Sequence, residues 1–154
     1  MSEDLEYEAA VSGGSLTYPV SGGSIRKNGY MIIKEFPCKI TEISISKTGK
    51  HGHAKAHVFG NDIFTGKKYE DVFPTSHNVD APVVNKAEVE VVSIEDGFIN
   101  YMDDEGEIYE IELPEDEEIA NGIQEAMDNG RDVTISILKS MGKEQVITFR
   151  ETKN

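Results

Sequence analysis

The apolar residues of this chain come in short alternating runs, and one of those runs changes parity partway along. Between Phe36 and Ile45, Cys38 and Ile40 share one face of an extended chain, while Ile43 and Ile45 fall on the other. Successive side chains of a strand point to opposite faces, so a slip of one residue turns a buried set out to solvent. A strand with one buried face tolerates the change only where an extra residue is inserted, which predicts a β-bulge or bend near Thr41–Glu42. Around this run, Tyr30–Ile33 is a short apolar segment and Ala54, Ala56 and Val58 alternate. FTGKKY, Phe64–Tyr69, reads as a tight hairpin turn in which Gly66 supplies a positive φ, with Tyr69–Phe73 as the returning strand. No helical period is present up to this point. Many short strands in so few residues predict a small closed or half-closed barrel.

The second half repeats the theme with one exception. Ala87, Val89 and Val91 alternate, Phe98–Met102 and Ile108–Leu113 follow, and turns fall at EDG and DDEGE. Pro114 then opens a helical pattern in which Ile119, Ile123, Ala126 and Met127 make one apolar stripe. The acids Glu115–Glu118 suit the positive end of the helix dipole, and Asn129–Gly130 reads as its stop. Val133, Ile135 and Ile137 alternate again, and Val146–Phe149 form the last run. Three strands, a helix and two strands describe an OB-type barrel.

Charge divides the chain. Residues 1–17 carry four acids and no base, and with the SGG of Ser12–Gly14 they read as a disordered acidic tail. Residues 18–83 hold nine Lys/Arg against six Asp/Glu, and residues 84–154 hold six against 19. A boundary is expected near Val83–Val84, with Pro82 as a linker marker. The net charge of -14 opposes nucleic-acid binding by the molecule as a whole. If the basic half meets phosphate, the acidic half is repelled and faces protein or solvent. A single cysteine, Cys38, allows no intramolecular disulfide and fits a reducing compartment. The acidic start MSEDLEYEAA is no secretory signal, and no apolar run approaches the ~20 residues of a membrane span. A soluble cytoplasmic protein is expected.

Against this acidic background stands KTGKHGHAK, Lys47–Lys55, with three lysines, two histidines and two glycines. It joins two strands as the tip of a long hairpin, exposed because lysines cannot be buried unpaired. A phosphate-binding Walker loop would need glycine at Ser44 and Ser or Thr at His51. His51, His53 and His57 would share one side of an extended strand, but the lysines repel a divalent cation and the stretch holds no carboxylate or thiolate. A catalytic lysine would need a desolvating pocket, which a hairpin tip does not offer. Gly49 and Gly52 bracket Lys50–His51 and suggest the shaped presentation of one side chain. Two readings compete: a basic hairpin that binds RNA unmodified, and a loop that presents one lysine for modification.

KTGKHGHAK resembles the hypusine loop of the eukaryotic translation factor 5A family. Its flanks RKNGYMIIKEFPCKITEIS and DIFTGKKYEDVFPTSHNVDAP resemble the same family, nearly without interruption from Arg26 to Pro82. Over residues 84–154 the likeness rests on length, acidity and the LPE motif before the helix. The resemblance implies a mainly β chain of two small barrels: an SH3-like barrel over 18–83 carrying the loop, and an acidic OB-fold over 84–154 with one helix between its third and fourth strands. It implies that Lys50 is the modified residue. Deoxyhypusine synthase would transfer an aminobutyl group from spermidine to its amine, and deoxyhypusine hydroxylase would complete hypusine. No other cofactor and no enzymatic activity of its own are implied. The implied partners are the ribosome, ribosomal RNA and peptidyl-tRNA, met by Lys47, Thr48, Gly49, His51, Gly52, His53 and Lys55 around the modified side chain. The implied role is to relieve stalled peptide-bond formation, as at proline runs, and to assist termination, away from membranes; a monomer is expected, because a loop that must enter a modifying enzyme argues against burying that face in a dimer. Phe73 departs from the family, where cysteine is common, and the tail after Phe149 has no match to it.

Overall fold

The structure is a computed structural model that describes residues 16–47 and 53–152. Among the described residues are eleven strands and one α-helix, and the chain divides after Val83 into two compact units. The expected acidic tail lies outside the described residues except at its end. Thr17, assigned to that tail by composition, opens strand β1 (Thr17–Ser21).

In the first unit a 3-10 turn at Gly22–Ser24 leads to β2 (Tyr30–Ile33), β3 (Phe36–Lys47), β4 (Ala54–Asp62) and β5 (Lys68–Pro74), and β6 (Asn78–Pro82) completes it. The antiparallel sheet runs β2-β3-β4-β5, and β1 pairs separately with β6. β2 touches both β5 and β6, so the sheet curls round a core of Ile25, Met31, Ile33, Cys38, Ile40, Ala56, Val58 and Phe73.

The parity change is resolved as expected. Ile40 faces Gly60 and Glu42 faces Phe59, so Thr41 is the extra residue, and its hydroxyl donates to the Phe59 carbonyl (3.2 Å). Cys38 and Ile40 are buried before the bulge, and Ile43 packs on the same core after it. Ile45 has the same parity as Ile43 but is 56% exposed; β2 pairs with β3 only as far as Lys39, so at Ile45 β3 is an edge strand with β4 alone beside it.

Phe73 is buried against Gly22. The Gly22 amide donates to the His77 carbonyl (2.8 Å), and a Cβ at this position would sit 2.7 Å from that oxygen and 3.0 Å from the Phe73 ring. Only glycine fits so close an approach. The departure at Phe73 is therefore a packing feature of the β1–β2 turn.

The chain divides where the boundary near Val83–Val84 is expected, but Pro82 marks it from within a strand rather than from a linker. Pro82 is the last residue of β6 and pairs with Thr17, the Val83 amide donates to the Leu16 carbonyl (3.0 Å), and the next strand starts at Val84. Proline suits this place because an edge strand can spare one amide donor. Thr17 and Pro82 belong to strands for one reason: each pairs with the other some 65 residues away, beyond the reach of local pattern.

The second unit contains β7 (Val84–Glu95), β8 (Phe98–Met102), β9 (Ile108–Glu112), α1 (Glu117–Asp128), β10 (Asp132–Ser140) and β11 (Lys143–Thr152). The sheet order is β9-β8-β7-β10-β11, and the edge strands β9 and β11 touch, so the sheet rolls up. Its core includes Ile99, Tyr101, Ile111, Ile123, Ala126, Val133, Ile135, Ile137 and Val146.

Two more bulges shape it. Val91 pairs with Tyr101 and Ser93 with Asn100, which leaves Val92 as the extra residue and lets Val89, Val91 and Ile94 share the core. Ser136 pairs with Thr148 and Ile137 with Val146, which leaves Ile147 extra and brings both Val146 and Phe149 inward. The helix opens at Glu117, three residues after Pro114, because the Asp116 carboxylate caps it by accepting from the amides of Glu118 (3.0 Å) and Ile119 (3.3 Å). Its apolar stripe packs as expected, with Ile123 and Ala126 buried and Ile119 and Met127 partly so. The Phe149 ring lies directly over Gly122, where a Cβ would collide with it. No helix among the described residues is long and apolar enough to cross a membrane.

Cys38 is fully buried and faces Asp62 across the β3–β4 ladder. Burial, and then the Asp62 charge, push its thiol from the ordinary 9.0 up to about 11. The folded state thus holds this proton more tightly than the unfolded chain. The stabilisation is complete below pH 9 and is lost as pH rises towards about 11. Stability should fall across that window, and Cys38→Ala should remove that part of the slope. Iodoacetamide at pH 8 should leave the folded thiol untouched and label it after unfolding, as read by mass.

Candidate functional site

The cationic stretch sits on the longest hairpin of the first unit. The β3–β4 ladder runs from Cys38 opposite Asp62 to Lys47 opposite Ala54, so six residues, Thr48–His53, connect the strands. Thr48, Gly49, Lys50, His51 and Gly52 lie outside the described residues. The stem that carries them is described in full.

The far end of this hairpin is anchored by Asp62, one of the few buried polar residues. Its carboxylate accepts from the amides of Phe64 (2.8 Å) and Thr65 (3.3 Å), while its own amide donates to the Lys67 carbonyl (2.8 Å). Gly66, with φ 79°, closes the β4–β5 turn by donating to the Asp62 carbonyl (2.8 Å). The turn read from FTGKKY is therefore correct, and a buried aspartate organises it.

At the loop end, β5 follows β4 as far as Lys55 opposite Pro74. One residue on, Thr75 holds the stem. Its amide (3.0 Å) and its hydroxyl (3.3 Å) both donate to the Ala54 carbonyl, and its own carbonyl accepts from Gly23 (3.1 Å). The first ladder residue after the loop is thereby tied through the β5–β6 connection to the β1–β2 turn. Nothing in the sequence around Thr75 points to this role, because its partner stands 21 residues earlier.

Lys47, His53 and Lys55 are all exposed at this end, as a loop of cations requires. The sequence reading groups Lys47 and Lys55 together, but the register separates them. Lys55 shares a face with Ser46 and Pro74, whereas Lys47 shares the opposite face with Ala54. The stem thus presents positive charge on both of its sides.

His57 lies on the Lys55 side, opposite Ser44 and Val72. Its Nε2 is 2.6 Å from the Glu70 carboxylate, and its ring lies 4.6 Å from that of Phe59. Among the described residues no three His, Cys, Asp or Glu side chains are grouped as metal ligands would be.

Two family models divide the chain between them. Residues 15–77 match one described as "Translation initiation factor 5A-like, N-terminal". Residues 83–150 match "Eukaryotic elongation factor 5A hypusine, DNA-binding OB fold". The chain belongs to the translation factor 5A family.

Within that family the chain is 45% identical over 150 residues to eukaryotic translation initiation factor 5A-1 of Schizosaccharomyces pombe, covering 97% of this chain and 95% of that protein. It is 46% identical over 154 residues to factor 5A-2 of Arabidopsis thaliana, covering 98% of this chain and 97% of the other. Among solved structures, a translation initiation factor 5A family protein from Naegleria fowleri superposes with a TM-score of 0.84 at 44% identity, over 88% of this chain and 99% of that one. The factor 5A of Methanococcus jannaschii superposes with a TM-score of 0.67 at 32% identity, over 87% and 95%. A translation factor 5A family member thus carries its basic loop on a stem tied at both ends.

Thr75→Val removes one of the two hydrogen bonds to Ala54 and keeps the other. The expected loss is about 1 kcal/mol, seen as a lower denaturation midpoint. Faster amide exchange should be confined to the stem residues near Ala54.

Proposed function

We propose that this chain is a hypusine-bearing translation factor and that Lys50 is the residue modified. The supporting observation is the stem. A hairpin whose last rung is clamped by Thr75 and whose base is organised by Asp62 gives the connecting loop a rigid origin. Lys50 stands in the middle of that loop, between Gly49 and Gly52. Family membership supports the same position.

An unmodified lysine is one charge on a four-carbon stem. Addition of the aminobutyl arm from spermidine, followed by hydroxylation, lengthens the reach and adds a second amine. A long thin cation suits a path lined with phosphates. At the end of that path it can hydrogen-bond the acceptor end of peptidyl-tRNA and hold it for attack, a contribution of position. The ribosome remains the catalyst, and the factor supplies geometry. Relief of stalling at proline runs and help at termination both follow from ordering a poorly placed tRNA end. The work is cytoplasmic, and the modifying partners are deoxyhypusine synthase and deoxyhypusine hydroxylase.

Thr48, His51 and His53 border the arm in this reading, and Lys47 and Lys55 meet RNA phosphates on either side of the stem. Each of Lys47→Gln and Lys55→Gln should lower the slope of log affinity for the ribosome against log salt by about 0.7–0.9. Two changes on opposite faces should add.

The decisive test is the mass of the peptide containing Lys50, from protein made in its own cell. It should be heavier by a hydroxylated aminobutyl group. Lys50→Arg should melt within about 0.5 kcal/mol of the parent, as exposed substitutions do, yet fail to restore synthesis through proline runs. An unmodified peptide, or full activity from that variant, would favour an unmodified RNA-binding hairpin instead.

A further inference from the structure

The second unit carries a groove on the outer wall of its rolled sheet. Its floor follows a row of residues in register on four strands, which Ile108 continues onto the fifth. Ile108 pairs with Met102, Met102 with Glu90, Glu90 with Thr134, and Thr134 with Arg150. The neighbours that alternate with them, such as Tyr101, Val89, Val91, Val133, Ile135 and Phe149, belong to the core, so this row faces outward. Glu88, Asp103 and Asp104 add to the groove's lining.

Two observations define what could lie there. The first is apolar: Met102 and Ile108 form a cross-strand pair and are 41% and 52% exposed. Single exposed apolar residues need no explanation, but an adjacent pair at one end of a groove gives a seat for an apolar side chain. The second is electrostatic. Four carboxylates line the groove against a single guanidinium, and Arg150 is already held by Glu88 (3.1 Å). Asp103 is engaged by the amides of Glu105 and Glu107 (2.9 Å each). The side chains of Glu90 and Asp104 make no hydrogen bond or ion pair among the described residues.

Barrels of this class bind oligonucleotides through basic grooves and aromatic platforms. Here the groove is acidic, so phosphate is repelled and a cationic partner attracted. Its size argues against a small cation: the groove encloses about 430 Å³ and draws its lining from four strands, room for several side chains of a peptide. We propose that this groove docks an extended lysine- or arginine-bearing segment of a partner protein. An apolar side chain of that segment rests on Met102 and Ile108, and its cations meet Glu90 and Asp104. The inference does not depend on the modification of Lys50.

The test uses the full chain and a fluorescein-labelled peptide of about eight residues that alternates leucine and lysine. Fluorescence anisotropy should show saturable binding, and labelled single-stranded oligouridylate should not compete. Amide chemical-shift mapping on the unsubstituted protein should place the perturbed residues on β7, β8, β10 and β11 around the groove. Glu90→Lys with Asp104→Lys should weaken binding at least about tenfold. The same reversal at Glu115 and Glu125, which do not line the groove, should change it less than about twofold. Replacing leucine with serine in the probe should weaken binding to the parent protein and remove its sensitivity to Met102→Ser. Absence of binding, equal loss from both charge reversals, shifts mapped elsewhere, or displacement by the oligonucleotide would each overturn the proposal.

Discussion

The first unit depends on the β3–β4 ladder, and that ladder depends on one inserted residue. Thr41 lets a single strand turn Cys38 and Ile40 inward and then Ile43 inward again. Without the insertion, the residues beyond it would change faces, and either the core or the hairpin would be lost. The bulge also permits length. β3 runs through twelve residues, first packing the barrel and then continuing beyond its ladder with β2 as the loop's stem. Asp62 at the base and Thr75 near the tip turn that length into a fixed direction. A flexible stem would dissipate any positioning the loop could supply, because placement errors near an ångström already matter for ordering a reacting group.

The same device recurs in the second unit, at Val92 and Ile147. Extra residues increase local twist, and twist is what allows a five-stranded sheet to roll until its edges touch. The two units differ in charge. Residues 18–83 of the first unit are mildly basic and carry the exposed lysines of the stem, and the strongly acidic second unit carries carboxylates on its outer wall. The stem therefore offers phosphate a favourable surface and the outer wall of the second unit an unfavourable one.

Features whose cause is local were legible from the residues. The bulge at Thr41, the positive φ of Gly66 and the apolar stripe of α1 each follow from steric rules acting within a few positions. The bulges at Val92 and Ile147 follow from the same parity argument, from Val91 to Ile94 and from Val146 to Phe149. Other features had no local signal. Thr17 and Pro82 belong to strands because they meet each other, and Thr75 matters because Ala54 lies opposite. The helix start moved from Pro114 to Glu117 because a side-chain cap at Asp116 outranks a permissive proline.

The sequence by itself determined the class of fold, the run of strands with one helix, and the cationic loop in an acidic chain. Alternation, turn chemistry and charge are properties of neighbouring residues, and they survive without coordinates. Only the tertiary structure decided where those elements act. Register placed Lys47 and Lys55 on opposite faces of the stem, and a bond spanning 21 residues tied the last rung to the next connection. Register also lined up Ile108, Met102, Glu90, Thr134 and Arg150 as one row from five strands. Strand pairing joins residues that are distant in the chain, so the surfaces it builds have no address in any short stretch of it.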